Sequence, residues 1–377
     1  MTCVLRRIYV HNYKCLQNFE LELQETVLLL GANGAGKTAV LDVVHGLRKL
    51  LSAEAKIADR VAFHPSTLTR WQTDPKQVFE IDVEVGEESF RYRLEIEHAD
   101  DGRHSRVAWE SLSAGPTTLF KCEMGDVQLY RDDGSEGPTF KTDWTESALA
   151  RVVAQPINTR LTAFKDAMRA TVVCNIRPAL LRAESTREDQ LLGRHAENFV
   201  DWYRHAVQEN PASSVAHVEA LREVIDGFNN IHLQQSGLDS RALMFDFAGD
   251  RAGRSANFKL RFDELSDGHR ALVVLYALLH LRQDADGVTL FLDEPDNFLA
   301  LTEIQPWLLE LVDLCDESSS QAVVCSHHPE LIDYLGPDGG VLFVRESSTA
   351  VSARPLEALA TNDGLKLSEQ LARGWDA

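Results

Sequence analysis

The chain has 377 residues, enough for one large or two ordinary domains with a substantial core. Apolar and charged fractions of 44% and 25% are those of a soluble globular protein, and no apolar run approaches membrane-spanning length. With 38 basic against 58 acidic residues the net charge is −20, which opposes unspecific adhesion to DNA or anionic membrane but leaves room for a local basic groove.

Residues 3–25 alternate in strand fashion through Val4, Arg6, Ile8 and Val10, then Phe19, Leu21 and Leu23, with a turn near Asn12-Tyr13-Lys14. Thr26–Leu30 is a short apolar, β-branched run of the kind that forms a buried parallel strand. It leads into Gly31-Ala32-Asn33-Gly34-Ala35-Gly36-Lys37-Thr38, a full match to G-x-x-x-x-G-K-[ST]. A helix is expected from there to about Ser52. In such a loop the glycines turn backbone N–H groups inward on phosphate oxygens. Lys37 reaches the β/γ-phosphates and the Thr38 hydroxyl binds Mg²⁺. A polar loop follows through Pro75.

Val78–Val85, Ser89–His98, Val107–Leu112, Thr118–Cys122 and Val127–Tyr130 read as an antiparallel β layer, and 132–138 as an exposed loop. From about Thr145 to Ile231 the pattern turns helical, broken at Pro178 and Asn210-Pro211. Its Arg169, Arg177, Arg182, Arg187, Arg194 and Arg204 read either as a phosphate-facing groove or, more commonly for such a set, as a solvated face paired with acids. Strands return at Ala242–Phe247 and Phe258–Phe262, and the tail after Ala360 reads as polar and peripheral.

Three further motifs follow. Leu265-Ser266-Asp267-Gly268-His269-Arg270 precedes a helix over Ala271–Gln283; Ser266 and Gly268 at its start suit an anion, or Ser266 simply caps the helix. Val288–Leu292 is an apolar strand ending in Asp293-Glu294; one acid suits Mg²⁺ and the next the attacking water. Gln321–Cys325 is another buried strand, tipped by Ser326-His327-His328 at the edge where parallel sheets bind ligands. The six cysteines lack C-x-x-C spacing and read as reduced thiols, and no signal-peptide core opens the chain, so a cytoplasmic protein is expected.

This ordered set resembles the ABC-type ATPases of the SMC and RecF branch, over about residues 1–50 and 255–345. The resemblance implies an α/β P-loop NTPase: an ABC-type head with a mixed core sheet, an antiparallel β layer and a helical lobe insertion. The expected division is 1–144, 145–235 and 236–377. It implies ATP and Mg²⁺ as cofactors. Gly31, Asn33, Gly34, Ala35, Gly36, Lys37 and Thr38 become the Walker A loop, and Ser266 and Gly268 part of the signature. Asp293 becomes the Walker B acid, Glu294 the catalytic base and His327 the switch histidine, with Lys37 also catalytic.

The pattern departs from the family at Asp267, His269 and Ala300, and the Q-loop glutamine is left among Gln72, Gln77 and Gln155. One Walker A and one signature per chain imply an ATP-sandwiched homodimer. DNA and a separately encoded effector such as a nuclease are candidate partners, in genome maintenance or anti-phage defence. Overcoming-lysogenization-defect nucleases also resemble this lobe, but about fifty residues after Pro329 are too few for their TOPRIM domain. An ABC transporter subunit and an ATP-gated interaction switch are the alternatives.

Overall fold

The sheet that carries the candidate site takes its strands from the whole length of the chain. The computed structural model describes residues 3–99, 104–249, 256–281, 287–346, 350–356 and 365–373. In chain order, β1 (Cys3–His11), β2 (Phe19–Glu22) and β3 (Thr26–Leu30) lead into α1 (Lys37–Leu51). Then come β4 (Lys76–Val85), β5 (Glu88–Ala99), β6 (His104–Ala114), β7 (Thr117–Glu123), β8 (Asp126–Tyr130) and β9 (Glu136–Lys141). The middle holds α2 (Thr159–Ala170), β10 (Val172–Cys174), β11 (Glu184–Ser185), α3 (Phe199–Glu209), α4 (Pro211–Val224), β12 (Phe228–Gln235), β13 (Arg241–Phe247) and β14 (Phe258–Arg261). Last come α5 (Asp267–His280), β15 (Thr289–Asp293), α6 (Leu301–Glu317), β16 (Gln321–Cys325), α7 (Pro329–Gly339), β17 (Gly340–Val344), β18 (Ser352–Pro355) and α8 (Leu367–Ala372).

The core sheet runs β10-β15-β16-β3-β17-β18, parallel except for β18. A separate antiparallel layer runs β2-β1-β4-β5-β6-β7-β8-β9, and β11, β12, β13 and β14 form a smaller sheet. The period-2 alternation of β3 splits the interior into two cores. Val27 and Leu29 join α1 and the inner face of the β layer in one core. Leu28 and Leu30 join α5, α6 and α7 in the other.

Helix α1 is therefore sandwiched between sheets, and Val40, Leu41, Val43, Val44 and Leu47 are fully buried. Each such side chain contributes about 1.5–3 kcal/mol by burial. That packing is what anchors the Gly31–Thr38 loop to the end of β3.

Four expectations need correction. The stretch over 145–235 is not uniformly helical: its Val172-Val173-Cys174 supplies β10, a strand of the core sheet paired with β15. Three residues are too short a run to show a period, and only the pairing with β15 makes them a strand. The loop expected over 132–138 gives way to β9 from Glu136, an edge strand whose exposed residues hide the alternation. The tail is not merely peripheral, since α8 buries Leu367 and Gln370 and its Ser368 donates to Asp333 from both backbone N and Oγ. Finally, the helix after the Ser266 motif starts at Asp267, while Gln283, its expected end, lies outside the described residues, as do residues 361–364 of the tail.

Candidate nucleotide site

The loop between β3 and α1 has the backbone that its glycines permit. Gly31, Gly34 and Gly36 have φ of +134°, +80° and +105°. A Cβ on Gly36 would stand 3.0 Å from Cys15 Sγ and 3.1 Å from Val351 Cγ2, so conformation and space both require glycine there. Gly36 is also the N-cap of α1, and no side chain caps that helix or places an acid in its first turn. Its leading N–H groups are thus left for an anion. Asn33 and Gly34 are exposed at the loop tip and Ala35 is buried.

Lys37 is nearly buried, at 9% exposure. Its Nζ donates to Gly31 O and, at 3.4 Å, to Ala32 O, and lies 3.0 Å from His327 Nε2. No carboxylate forms an ion pair with it among the described residues. Burial lowers the Lys37 pKa against the opposing pull of Cys325, Glu294 and Asp293. The same burial, together with the Lys37 charge, lowers that of His327.

Parallel pairing sets Asp293 at the tip of β15 opposite Cys325 of β16, one strand away from β3. Thr38 Oγ1 lies 3.5 Å from Asp293 Oδ1. Burial raises the Asp293 pKa, and the Arg194 guanidinium, 3.4 Å from Oδ2, opposes that rise. Glu294 follows in the left-handed region at φ +52°, fixed by its N–H on Cys325 O at 2.8 Å and by Asn297 Nδ2 on its Oε2 at 2.8 Å. Of the paired histidines, His328 caps α7 by accepting from Glu330 N, which leaves His327 facing the loop.

Ser266 is the N-cap of α5, its Oγ accepting from His269 N at 3.2 Å, so the capping role is realised. Among the described residues no hydrogen bond or ion pair joins Ser266 or Gly268 to residues 31–38. Within one chain the structure thus gathers Lys37, Thr38, Asp293, Glu294 and His327 around the loop and leaves Ser266 and Gly268 apart. Ala300 opens α6, its N–H held by Glu303.

Sequence reasoning missed Asn175. It follows β10 directly, and its Nδ2 donates to Asp293 O at 2.9 Å. Among the described residues, none of the three candidate glutamines forms a hydrogen bond to residues 31–38, Asp293, Glu294 or His327; Gln72 and Gln155 are exposed, and Gln77 is buried in the β layer against Asn12 O. The signal was available only after β10 was known to neighbour β15.

The arginines of the middle segment have separate partners. Arg187 pairs with Asp189, Arg204 with Glu188, Arg169 with Gln190 and Arg177 with Asn175. Arg182 is exposed. Arg194 lies between Asp42 of α1 and Asp293, with one guanidinium nitrogen buried and unpartnered.

The hard oxygens of Thr38 and Asp293, the uncapped helix and the unpaired ammonium form a donor set that fits Mg²⁺ and nucleotide phosphates. The fold is similar to that of two solved SMC heads. One, from Pyrococcus furiosus with an extended coiled coil and bound to the C-terminal domain of ScpA, is 13% identical with a TM-score of 0.54 over 100% of both chains. The other, bound to the C-winged helix domain of ScpA, is 15% identical with a TM-score of 0.53 over 94% of this chain and 99% of that one. No curated protein sequence gives a significant match. The family model described as "AAA domain, putative AbiEii toxin, Type IV TA system" matches residues 27–333, from β3 through the Asp293 strand and the His327 tip into α7, and the chain belongs to that AAA-domain family.

Proposed function

We propose that the protein binds Mg-ATP between two copies of the chain and hydrolyses it, and that closure and opening of the pair gates a partner effector or acts on DNA, in genome maintenance or anti-phage defence. The observation that carries this reading is the convergence of Lys37, Thr38, Asp293 and His327 at one end of three adjacent parallel strands. Separation of Ser266 and Gly268 from that point supports a second copy as their source of nucleotide contact.

The residues take these roles. Gly31, Asn33, Gly34, Ala35 and Gly36 offer backbone N–H groups to the phosphates, and Lys37 exchanges its carbonyl partners for phosphate oxygens. Thr38 and Asp293 would hold Mg²⁺. Held there, Mg²⁺ would neutralise charge on the phosphates. Asn175 fixes the backbone that carries Asp293. Glu294, oriented by Asn297, accepts a proton from the attacking water. His327, once Lys37 turns away, presents its Nε2 to the same point.

The net charge of −20 and the separately paired arginines favour a protein effector over a DNA groove. The family description names a toxin of a Type IV TA system, which supports the same arm.

Steady-state ATP hydrolysis, with and without linear duplex DNA and with Glu294→Gln as the blank, tests the reading. Hydrolysis above the blank is expected, and its absence would overturn the assignment. Strong stimulation by DNA would select the DNA arm; indifference would select the protein effector.

A further inference from the structure

The two carboxylate oxygens of Asp293 face different parts of the chain. Oδ1 takes the 3.5 Å contact from Thr38 Oγ1, whereas Oδ2 lies 3.4 Å from Arg194 Nη2. The same nitrogen lies 3.5 Å from Asp42 Oδ1, and Lys14 Nζ meets the other Asp42 oxygen at 2.6 Å. Lys14, Asp42, Arg194 and Asp293 thus form a row of alternating charges from the β1–β2 turn across α1 to the tip of β15. The side chains of Arg194 and Asp293 are only 13% and 10% exposed, so solvent screens the pair weakly. Among the described residues no other cation lies within ion-pair distance of Asp293.

Arg194 sits on a loop that is itself tied down. Its carbonyl accepts from Asn175 N at 2.8 Å, and His195 Nδ1 lies 3.1 Å from Asn175 O. Asn198 closes the loop, its Nδ2 donating to Leu191 O at 2.9 Å and its Oδ1 accepting from Gly193 N at 2.7 Å. Arg48 of α1 donates through both terminal nitrogens to Leu192 O at 3.3 Å. The loop over 189–198 is therefore fixed to the end of β10 and to α1, and it carries a cation to the tip of the adjacent strand β15. Asn175 grips the Asp293 backbone, Arg194 grips its carboxylate, and the two residues grip each other.

We propose that Arg194 is a positioning residue for Asp293: it holds Oδ2, so that Oδ1 stays turned towards Thr38 and the metal. This role rests on the Mg-ATP reading and gives the segment between the two motif-bearing parts of the chain a share in the metal site. Removing a partner that orients a ligating carboxylate typically costs about 10–100-fold in metal affinity. A guanidinium so close also repels a divalent cation, and the two effects have opposite signs. Loss of the positioning weakens metal binding, whereas loss of the repulsion alone tightens it.

Metal affinity and nucleotide affinity are read separately on the full chain. Affinity for a fluorescent, non-hydrolysable ATP analogue is measured in EDTA. Mn²⁺, which suits the same hard-oxygen ligands as Mg²⁺, is then titrated into protein held in excess over the unlabelled analogue, and free Mn²⁺ is followed by its paramagnetic resonance signal. Arg194→Met is expected to weaken Mn²⁺ binding about tenfold while the affinity in EDTA stays within about twofold. Arg194→Lys keeps the charge without the planar fork and is expected to lie between the two. Unchanged or tighter Mn²⁺ binding in Arg194→Met, or an equal loss of both affinities, overturns the proposal. Should Arg194→Met not fold, Arg194→Lys decides alone, and Mn²⁺ binding equal to that of the unaltered protein then overturns it. Unaltered protein that binds no analogue, or that binds Mn²⁺ no better than the free analogue does, overturns the Mg-ATP reading itself and this role with it.

Discussion

The carbonyl oxygen of Phe298 lies 2.8 Å from where a Cβ on Gly268 would stand. Gly268 lies in the first turn of α5, whereas Phe298, at φ +75°, belongs to the turn that follows Glu294. The start of α5 and the turn behind the expected catalytic base are therefore in direct contact. A methyl group at 268 must displace backbone, not the end of a flexible side chain. Gly268→Ala is expected to lower kcat by about tenfold or more while ATP affinity stays within about twofold, since misplacing a catalytic group by 1 Å costs on the order of a hundredfold. Paired turnover and equilibrium-binding measurements check it; equal loss of both would place the damage elsewhere.

Lys37 and His327 should separate in their effects. Lys37→Ala removes the ammonium beside the loop, which among the described residues no other cation replaces in hydrogen-bond contact with residues 31 and 32, so ATP binding should fall by about a hundredfold or more. His327→Ala leaves the loop intact and should retain binding while slowing turnover. Fluorescent-nucleotide titration of the two variants distinguishes them.

Glu294→Gln keeps the Asn297 contact and the left-handed backbone but cannot accept a proton. With Mg-ATP it should accumulate as a dimer, and light scattering after size exclusion reads the mass directly. A strictly monomeric species under saturating nucleotide would sink the sandwich.

Three buried histidines set an acid limit on stability. Burial pushes His217 and His45 down to about 3 and His98 to about 4. All three stay neutral in the folded chain, while the unfolded chain binds their protons below about 6.5. The unfolded state therefore gains protons first, and stability falls as pH drops from about 6.5 towards about 4. Each group contributes a slope of about 1.4 kcal/mol per pH unit in that window. His217 is fully buried, its Nε2 on Val273 O at 3.1 Å and its Nδ1 unpartnered. His217→Gln should flatten the dependence of Tm on pH between 6.5 and 4.5, whatever it does to stability at pH 8. An unchanged slope would mean that the imidazole is reached by water.

The parts of the site that a single motif encodes were readable before any coordinates. Gly31–Thr38 and the Asp293-Glu294 pair are local patterns read from residue type and spacing, whereas His327 is singled out over His328 only by the family resemblance. The alternation of β4 to β8 likewise showed the antiparallel layer. What could not be read was adjacency across distant segments. Asn175 carries no motif and became a site neighbour only because three residues of β10 dock on β15. Arg194 looked like any surface arginine until the chain folded it between Asp42 and Asp293.

The order of the core sheet has a consequence for synthesis. β3 is made early, yet both its neighbours, β16 and β17, are made about 290 residues later or more. Roughly 290 residues separate the end of β3 from the start of β16, and a ribosome adding about 5–20 residues per second needs on the order of 15–60 s to cover them. For that interval Val27, Leu28, Leu29 and Leu30 have neither strand partner, and the phosphate loop is tethered to an unfinished sheet. The core sheet around the phosphate loop can close only once β16 and β17 have both been made, so any shorter nascent chain lacks the two strands that flank it.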